Sequence, residues 1–199
     1  MKMKATIKNA FAALVLPACA ALALLGSTAT SQAAAFMKLG DIKGESSDTD
    51  HKDWIIIESM SSAIFRSVPE GANDAQRTRG ETTLGDIVVT RELDKSSTKI
   101  QEAVCPGTIF PEVEIVLTKD FALADGTSHR IPYLTYKLKD VIITSYSFQG
   151  SAAGDRVPTE QITLGYTGAE WTYVVVDPKT GNSETVIGVC APSSRRGKR

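Results

Sequence analysis

The chain has 199 residues, enough for one domain with a sizeable core and fewer than two domains would need by default. With 42% apolar and 23% charged residues, and 15 Gly and 8 Pro spread among short apolar runs, it excludes a collagen, a disordered polymer and a polytopic membrane protein. The formal net charge of −1 offers no basic footprint for generic nucleic-acid binding.

The first predicted element is a targeting segment. Lys2, Lys4 and Lys8 make a basic start, FAALVLPACAALALLG (Phe11 to Gly26) is an apolar run broken by Pro17, and the small and polar residues STATSQAAA follow. This predicts a secretory signal peptide over residues 1–35, cut after Ala33 or Ala35. The run is short for a membrane span. Cys19 follows Leu16-Pro17-Ala18 as in a degenerate lipoprotein signal, but the apolar run continues well past it. Removing the three lysines leaves 19 basic residues against 23 acidic ones, a mature net charge of −4. Export predicts a periplasmic or extracellular protein with no stable membrane insertion after cleavage.

Strands come next. AFMKL leads through the acidic stretch LGDIKGESSDTDHKDW (Leu39 to Trp54) into DWIIIES. The segment Ser61 to Thr82 is polar and Gly-containing, which predicts a long surface loop, and TLGDIVVTREL then returns to strand. In LDKSSTKIQEAVCPG, Ile100, Ala103 and Val104 recur at i, i+3, i+4, predicting a short helix with Ser97 as N-cap and Pro106-Gly107 as its stop. Such a helix is too short to stand in water and must dock on the sheet.

PEVEIVLTK alternates with Val113, Ile115 and Leu117 on one face and Glu112, Glu114 and Thr118 on the other, a half-buried strand. In YLTYKLKDVIITSYSF the phase set by Leu134, Tyr136 and Leu138 slips by one residue before Val141 and Ile143, which predicts a bend at Lys139-Asp140. EQITLGY, EWTYVVVD and ETVIGV follow, the last two joined by the turn Asp177 to Asn182. At least eight short strands with turns between them predict a mainly β sandwich or barrel. The final RRGKR reads as a solvated terminus.

Chemistry is sparse. His51 and His129 are the chain's two histidines, and no nucleophile elbow, phosphate-cradling glycine loop or H-E-x-x-H helix is present. His129, in the turn-like ADGTSHRIP, is expected to face solvent. The acidic stretch fails as an EF-hand loop: counted from Asp48, Lys52 stands where an oxygen ligand belongs and Asp53 where glycine belongs. Zinc would want more His or Cys than the single His51. The stretch is then a strand-to-strand connection, with no metal, cofactor or catalytic group expected. Export would place Cys105 and Cys190 in an oxidising compartment, so a disulfide between them is open, though sequence separation cannot decide it.

Three blocks carry a resemblance. AFMKLGDIKGESSDTDHKDWIIIES resembles the opening of the Hcp (haemolysin-coregulated protein) family, the tube protein of type VI secretion. The family form "I-x-G-E-S-x-D-x-x-H-K-x-W-I" is matched at Ile42, Gly44, Glu45, Ser46, Asp48, His51, Lys52, Trp54 and Ile55. LDKSSTKIQEAV is similar to the family's "D-K-S-S/T-P-K-L-x-E-A", at Asp94, Lys95 and Ser97, with Thr98 in place of proline. The block from Tyr133 to Tyr173 is similar to "Y-L-x-Y-x-L-x-D-V-x-I-S-S" followed by "P-x-E-x-I-x-L-x-Y".

The resemblance implies a small β-barrel of two curved antiparallel sheets flanked by one helix, over residues 36–176, with residues 177–199 as an added hairpin and tail. It implies a non-enzymatic structural role. Subunits would close into hexameric rings that stack into a tube, with secretion-apparatus proteins or small effector cargo as partners. Gly44, Glu45, Ser46, His51, Lys52, Trp54, Asp94, Lys95 and Ser97 become structural or inter-subunit candidates. Three features depart from the family pattern: the signal peptide, SMSSAIFRSVPE in place of an aromatic, glycine-containing strand end, and the C-terminal extension. The alternative expectation is an exported binding module on the same barrel that forms no tube.

Overall fold

The computed structural model describes residues 34–191 except 69, 79, 123–125, 127, 151–156 and 178. The expected signal segment up to residue 33 and the RRGKR tail lie outside the described residues. In chain order the strands are β1 (Ala34–Leu39), β2 (Ile55–Ile57), β3 (Ser59–Ser61), β4 (Ile64–Arg66), β5 (Thr82–Leu84), β6 (Ile87–Glu92), β7 (Ile109–Ala122), β8 (Ser128–Gln149), β9 (Thr159–Gly165), β10 (Gly168–Val176) and β11 (Ser183–Cys190). The helices are α1 (Asp74–Thr78) and α2 (Ser97–Val104).

Nine strands share one antiparallel sheet in the order β2-β1-β7-β8-β9-β6-β3, with β10 and β11 added beside β8. β2 and β3 are one bent strand interrupted at Glu58, whose N–H donates to Thr90 O at 3.0 Å. The first half of that strand pairs with β1 and the second with β6, so the sheet closes on itself as a barrel. The segment expected to be a loop instead holds β4 and the turn of α1, and β4 forms a ribbon with β5, which starts at the segment's last residue and runs into the expected strand TLGDIVVTREL. Strand β4 is three residues long, too short and too polar in its surroundings for periodicity to register.

Period-2 alternation fills the barrel. Met37, Leu39, Ile55, Val89, Val113, Ile115, Leu138, Val141, Ile162 and Leu164 are fully buried, and α2 adds Ile100 from outside the sheet. The opposite face of β1 and β7 is less wet than alternation predicts, because Phe36, Val116 and Thr118 are also buried there. One row on that face alternates in sign across four strands: Lys38 pairs with Glu114, Glu114 with Lys137, and Lys137 with Glu170.

The expected bend in β8 is present. Asp140 takes φ 49°, the left-handed region, and accepts the Thr167 hydroxyl at 2.9 Å. Before it, residues 134–139 pair with β10; after it, residues 142–149 pair with β9. One strand therefore serves both walls, and the phase slip keeps Leu138, Val141 and Ile143 all pointing inward.

Candidate functional site

The acidic stretch folds over β1 as a compact loop. Gly44 and Ser46 N–H groups donate to Asp53 O and Trp54 O at 2.8 and 3.1 Å, and Asp53 N–H returns to Ser46 O at 2.9 Å. Gly44 is required by close approach, since a Cβ there would lie 2.3 Å from Trp54 O. Asp53 closes the turn with φ 62°, which aspartate tolerates better than most residues.

The loop's side chains face one another rather than an ion. Asp48 Oδ1 accepts the backbone N–H groups of Asp50 and His51 at 3.1 and 3.0 Å and lies 2.9 Å from His51 Nδ1. Partial burial raises the Asp48 pKa. The His51 ring and the two N–H groups together outweigh that and hold it below the ordinary aspartate value. The His51 ring stacks on Phe36, centroids 4.6 Å apart and 2° from parallel, and meets Trp54 edge-on at 5.0 Å. This is a packed histidine over the outer face of β1. Lys52 projects into solvent.

A second cluster sits beneath the start of α2, and the two motif blocks meet there, Lys95 N–H donating to Glu45 Oε1 at 3.0 Å. Ser97 is the first helical residue and not the N-cap, a position taken by Ser96, whose side chain makes no capping bond. Instead Ser97 Oγ accepts from Asp94 N–H at 3.0 Å and from Arg91 Nη2 at 3.1 Å. Asp94 also binds Arg91 Nη2 and the Ser96 hydroxyl. Burial raises the Asp94 pKa, but the hydrogen bonds from Ser96 and Arg91 outweigh it, leaving the carboxyl below its ordinary value.

Arg91 and Glu160 form the heart of this node, and the sequence reading missed both. Their side chains are 1% and 0% exposed, with Arg91 Nε 2.7 Å from Glu160 Oε1, an ion-pair distance whose N–H is not aligned for a hydrogen bond. Glu160 Oε2 accepts the Tyr146 hydroxyl at 2.6 Å, and Gln101 of α2 donates to that hydroxyl at 3.1 Å. Burial, then the hydrogen bond and charge of Glu160, push Tyr146 up to about 12. The node fastens α2 to the barrel.

The remaining candidates lie apart. Cys105, at the end of α2, is exposed, and Cys190, at the end of β11, is half-buried; both thiols are free. His129 is exposed as expected. Among the described residues, no group of three or more His, Cys, Asp or Glu side chains is placed to hold a metal ion. Large apolar side chains are instead exposed around β4 (Ile64, Phe65 and Val68) and on the β10–β11 hairpin (Tyr173, Val175, Val186, Ile187 and Val189), with Ile56, Ile109, Phe148 and Val157 exposed elsewhere.

A closed barrel with one docked helix and a loop folded back on its first strand defines a structural class of protein. The sequence model of the family described as "Type VI secretion system effector, Hcp" matches residues 36–173, and the chain belongs to that family. It is 29% identical over 138 residues to "Protein hcp1" of Pseudomonas aeruginosa, 69% of this chain and 81% of that protein. Among solved structures it is similar to a type six secretion system protein, with TM-score 0.66 and 25% identity over 81% of this chain and 93% of the other. Hcp1 from Salmonella typhimurium, at TM-score 0.59 and 23% identity over 78% and 93% of the two chains, shares the fold.

Proposed function

We propose that this chain is an exported, non-enzymatic Hcp-type subunit that closes into a ring of six through head-to-tail contacts. The observation that carries the reading is the family match over residues 36–173 on a barrel with two unlike exposed apolar surfaces, the β4–β5 ribbon and the β10–β11 hairpin. A closed ring needs one patch to meet a different patch on the next copy. Exposed apolar patches of this kind mark interaction surfaces. The barrel then serves as architecture. Secretion-apparatus proteins contact the ring from outside, and small effector cargo occupies its lumen. The signal peptide directs the protein to the periplasm or beyond, and no cofactor is called for.

Native mass spectrometry of the mature chain tests the assembly. Hexamers are expected, and Ile187→Lys is expected to reduce them to monomers with the far-ultraviolet spectrum unchanged. A protein that stays monomeric at all concentrations overturns the ring. An apolar cleft of about 330 Å³ lined by Phe121, Ile131, Pro132, Val174 and Val176 supports the second reading, an exported monomeric binding module.

A further inference from the structure

Strand β11 pairs with β10 on one side and leaves its other edge open. We propose that two copies of the chain join there, β11 against β11 in antiparallel register about a two-fold axis at Val186, a contact separate from the head-to-tail contacts of the ring.

The hairpin turn fixes which backbone groups face the open edge. Asp177 N–H donates to Asn182 O at 2.9 Å, and Gly181 N–H, in the left-handed region at φ 72°, donates to Asp177 O at 2.8 Å. From there β10 and β11 run in unbroken register, from Val176 opposite Ser183 to Ala169 opposite Cys190. Along an antiparallel pair, hydrogen-bonded and non-hydrogen-bonded partners alternate. Because Asp177 and Asn182 are bonded, Glu184, Val186, Gly188 and Cys190 turn their backbone groups toward β10. Ser183, Thr185, Ile187 and Val189 turn theirs outward, and among the described residues no other strand takes them.

Open edges are ordinarily blunted by lysine, proline or a bulge. SETVIGVC contains neither lysine nor proline, and its register with β10 does not shift. Val186, Ile187 and Val189 are 54%, 61% and 68% exposed, Val186 on one face of the strand and the other two on the opposite face. A free backbone edge with apolar side chains on both faces is the surface to which a further strand adds.

The edge is complementary to itself, which identifies that strand as β11 of a second copy. Antiparallel pairing must match the outward-facing residues of one strand with those of the other. With Ser183 opposite the partner's Val189 and Thr185 opposite the partner's Ile187, every outward-facing residue of both strands is bonded. Shifting by two residues in either direction leaves one of them on each strand with no opposite in β11. The contact is isologous, each strand giving what it takes. Val186 meets its own counterpart at the axis. Glu184, the one charged residue of the strand, faces the partner's Gly188, so no like charges stand opposed.

The test is disulfide cross-linking of the mature chain carrying Cys105→Ser and Cys190→Ser, oxidised with oxidised glutathione and read on non-reducing gels. Across the open edge Val186 and its counterpart form a non-hydrogen-bonded pair, whose Cα atoms stand about 4.5 Å apart, within disulfide reach. Val186→Cys is therefore expected to run as a covalent dimer. Ile187→Cys is expected to run as a monomer, because its thiol faces the partner's Thr185. Adding Thr185→Pro removes an outward N–H that β10 does not use, and is expected to abolish the Val186→Cys dimer with the far-ultraviolet spectrum unchanged. No dimer from Val186→Cys, equal dimer from both thiols, or a dimer that survives Thr185→Pro overturns the pairing. Native mass of the same chains keeps the ring apart from it. Hexamers without the Val186→Cys cross-link overturn the pairing alone, and the cross-link without hexamers overturns the ring alone.

Discussion

The acidic loop over β1 and the node under α2 are built from the same residue types in opposite surroundings. At the loop, Arg130 is 40% exposed and reaches Asp120 at 3.1 Å and Asp48 at 3.5 Å. At the node, Arg91 and Glu160 are sealed from solvent, 2.7 Å apart. In water an ion pair adds little, because solvent screens it and two long side chains must be ordered. Out of water, each charge depends on its buried partners, and removing the opposite charge leaves it poorly compensated. The loop should therefore owe its shape to ring stacking and backbone bonds, and the node should depend on its charges.

The largest effect is expected from Glu160→Ala, which takes the fully buried carboxylate from the Arg91 guanidinium and leaves it Asp94 alone. Urea unfolding should show a loss of about 3–5 kcal/mol, and replacing both residues together, R91M with E160L, should recover most of it. A single-variant loss within about 0.5 kcal/mol would mean that water reaches the node, and the contrast would collapse. Gly44→Ala comes next, at about 2–3 kcal/mol, because its methyl group would meet Trp54 O at 2.3 Å and the loop must shift. This cost involves no charge at all.

The loop itself supplies the sharper pair. His51→Ala removes the stack on Phe36 and the contact with Asp48, and should cost about 2 kcal/mol in thermal or urea unfolding. Arg130→Ala removes two exposed ion pairs and should cost less than about 1 kcal/mol. If Arg130→Ala proves the more damaging, the loop is held by charge after all.

Most of the barrel is legible in the sequence because strands carry a period of two: alternation puts Val113, Ile115 and Leu138 on inward faces, and the phase slip marks the bend at Asp140. Strand β4 is not, since three residues give alternation nothing to count. The node was missed for a different reason. Arg91 falls in phase with Ile87 and Val89, and Glu160 with Ile162 and Leu164, so each charge occupies a core position of its strand. They are register partners on β6 and β9. Two opposite charges in core phase on separate strands are a signal for a buried pair, but it can be used only once the pairing of the strands is known. The loop's chemistry was hidden in the same way. The ligand count already argues against a metal site there, but Asp48 accepting from its own backbone and His51 lying on Phe36 are contacts that only the fold shows.

The smallest expected effects are in pH, and the two regions separate there too. Asp48 and Asp94 titrate below the ordinary aspartate value, so their contribution to stability is whole above about pH 4 and fades as the pH falls through their depressed values. Acid unfolding should therefore begin at a higher pH in His51→Ala, which takes from Asp48 a partner that holds it down. Tyr146 runs the other way. Its hydroxyl is pushed up to about 12 against an unfolded value of about 10, so the neutral form is stabilised in the fold. That contribution is whole below about pH 10 and is lost as the pH rises toward 12. Ultraviolet absorbance should show Tyr146 ionising late, beside Tyr166, which burial also raises, together with alkaline unfolding. Glu160→Gln removes the carboxylate charge while keeping a hydrogen-bonding side chain, so the late titration of Tyr146 should shift downward without vanishing. An unmoved titration would assign the raised value to burial, the first of its causes, and would remove charge from the account of how the node holds α2.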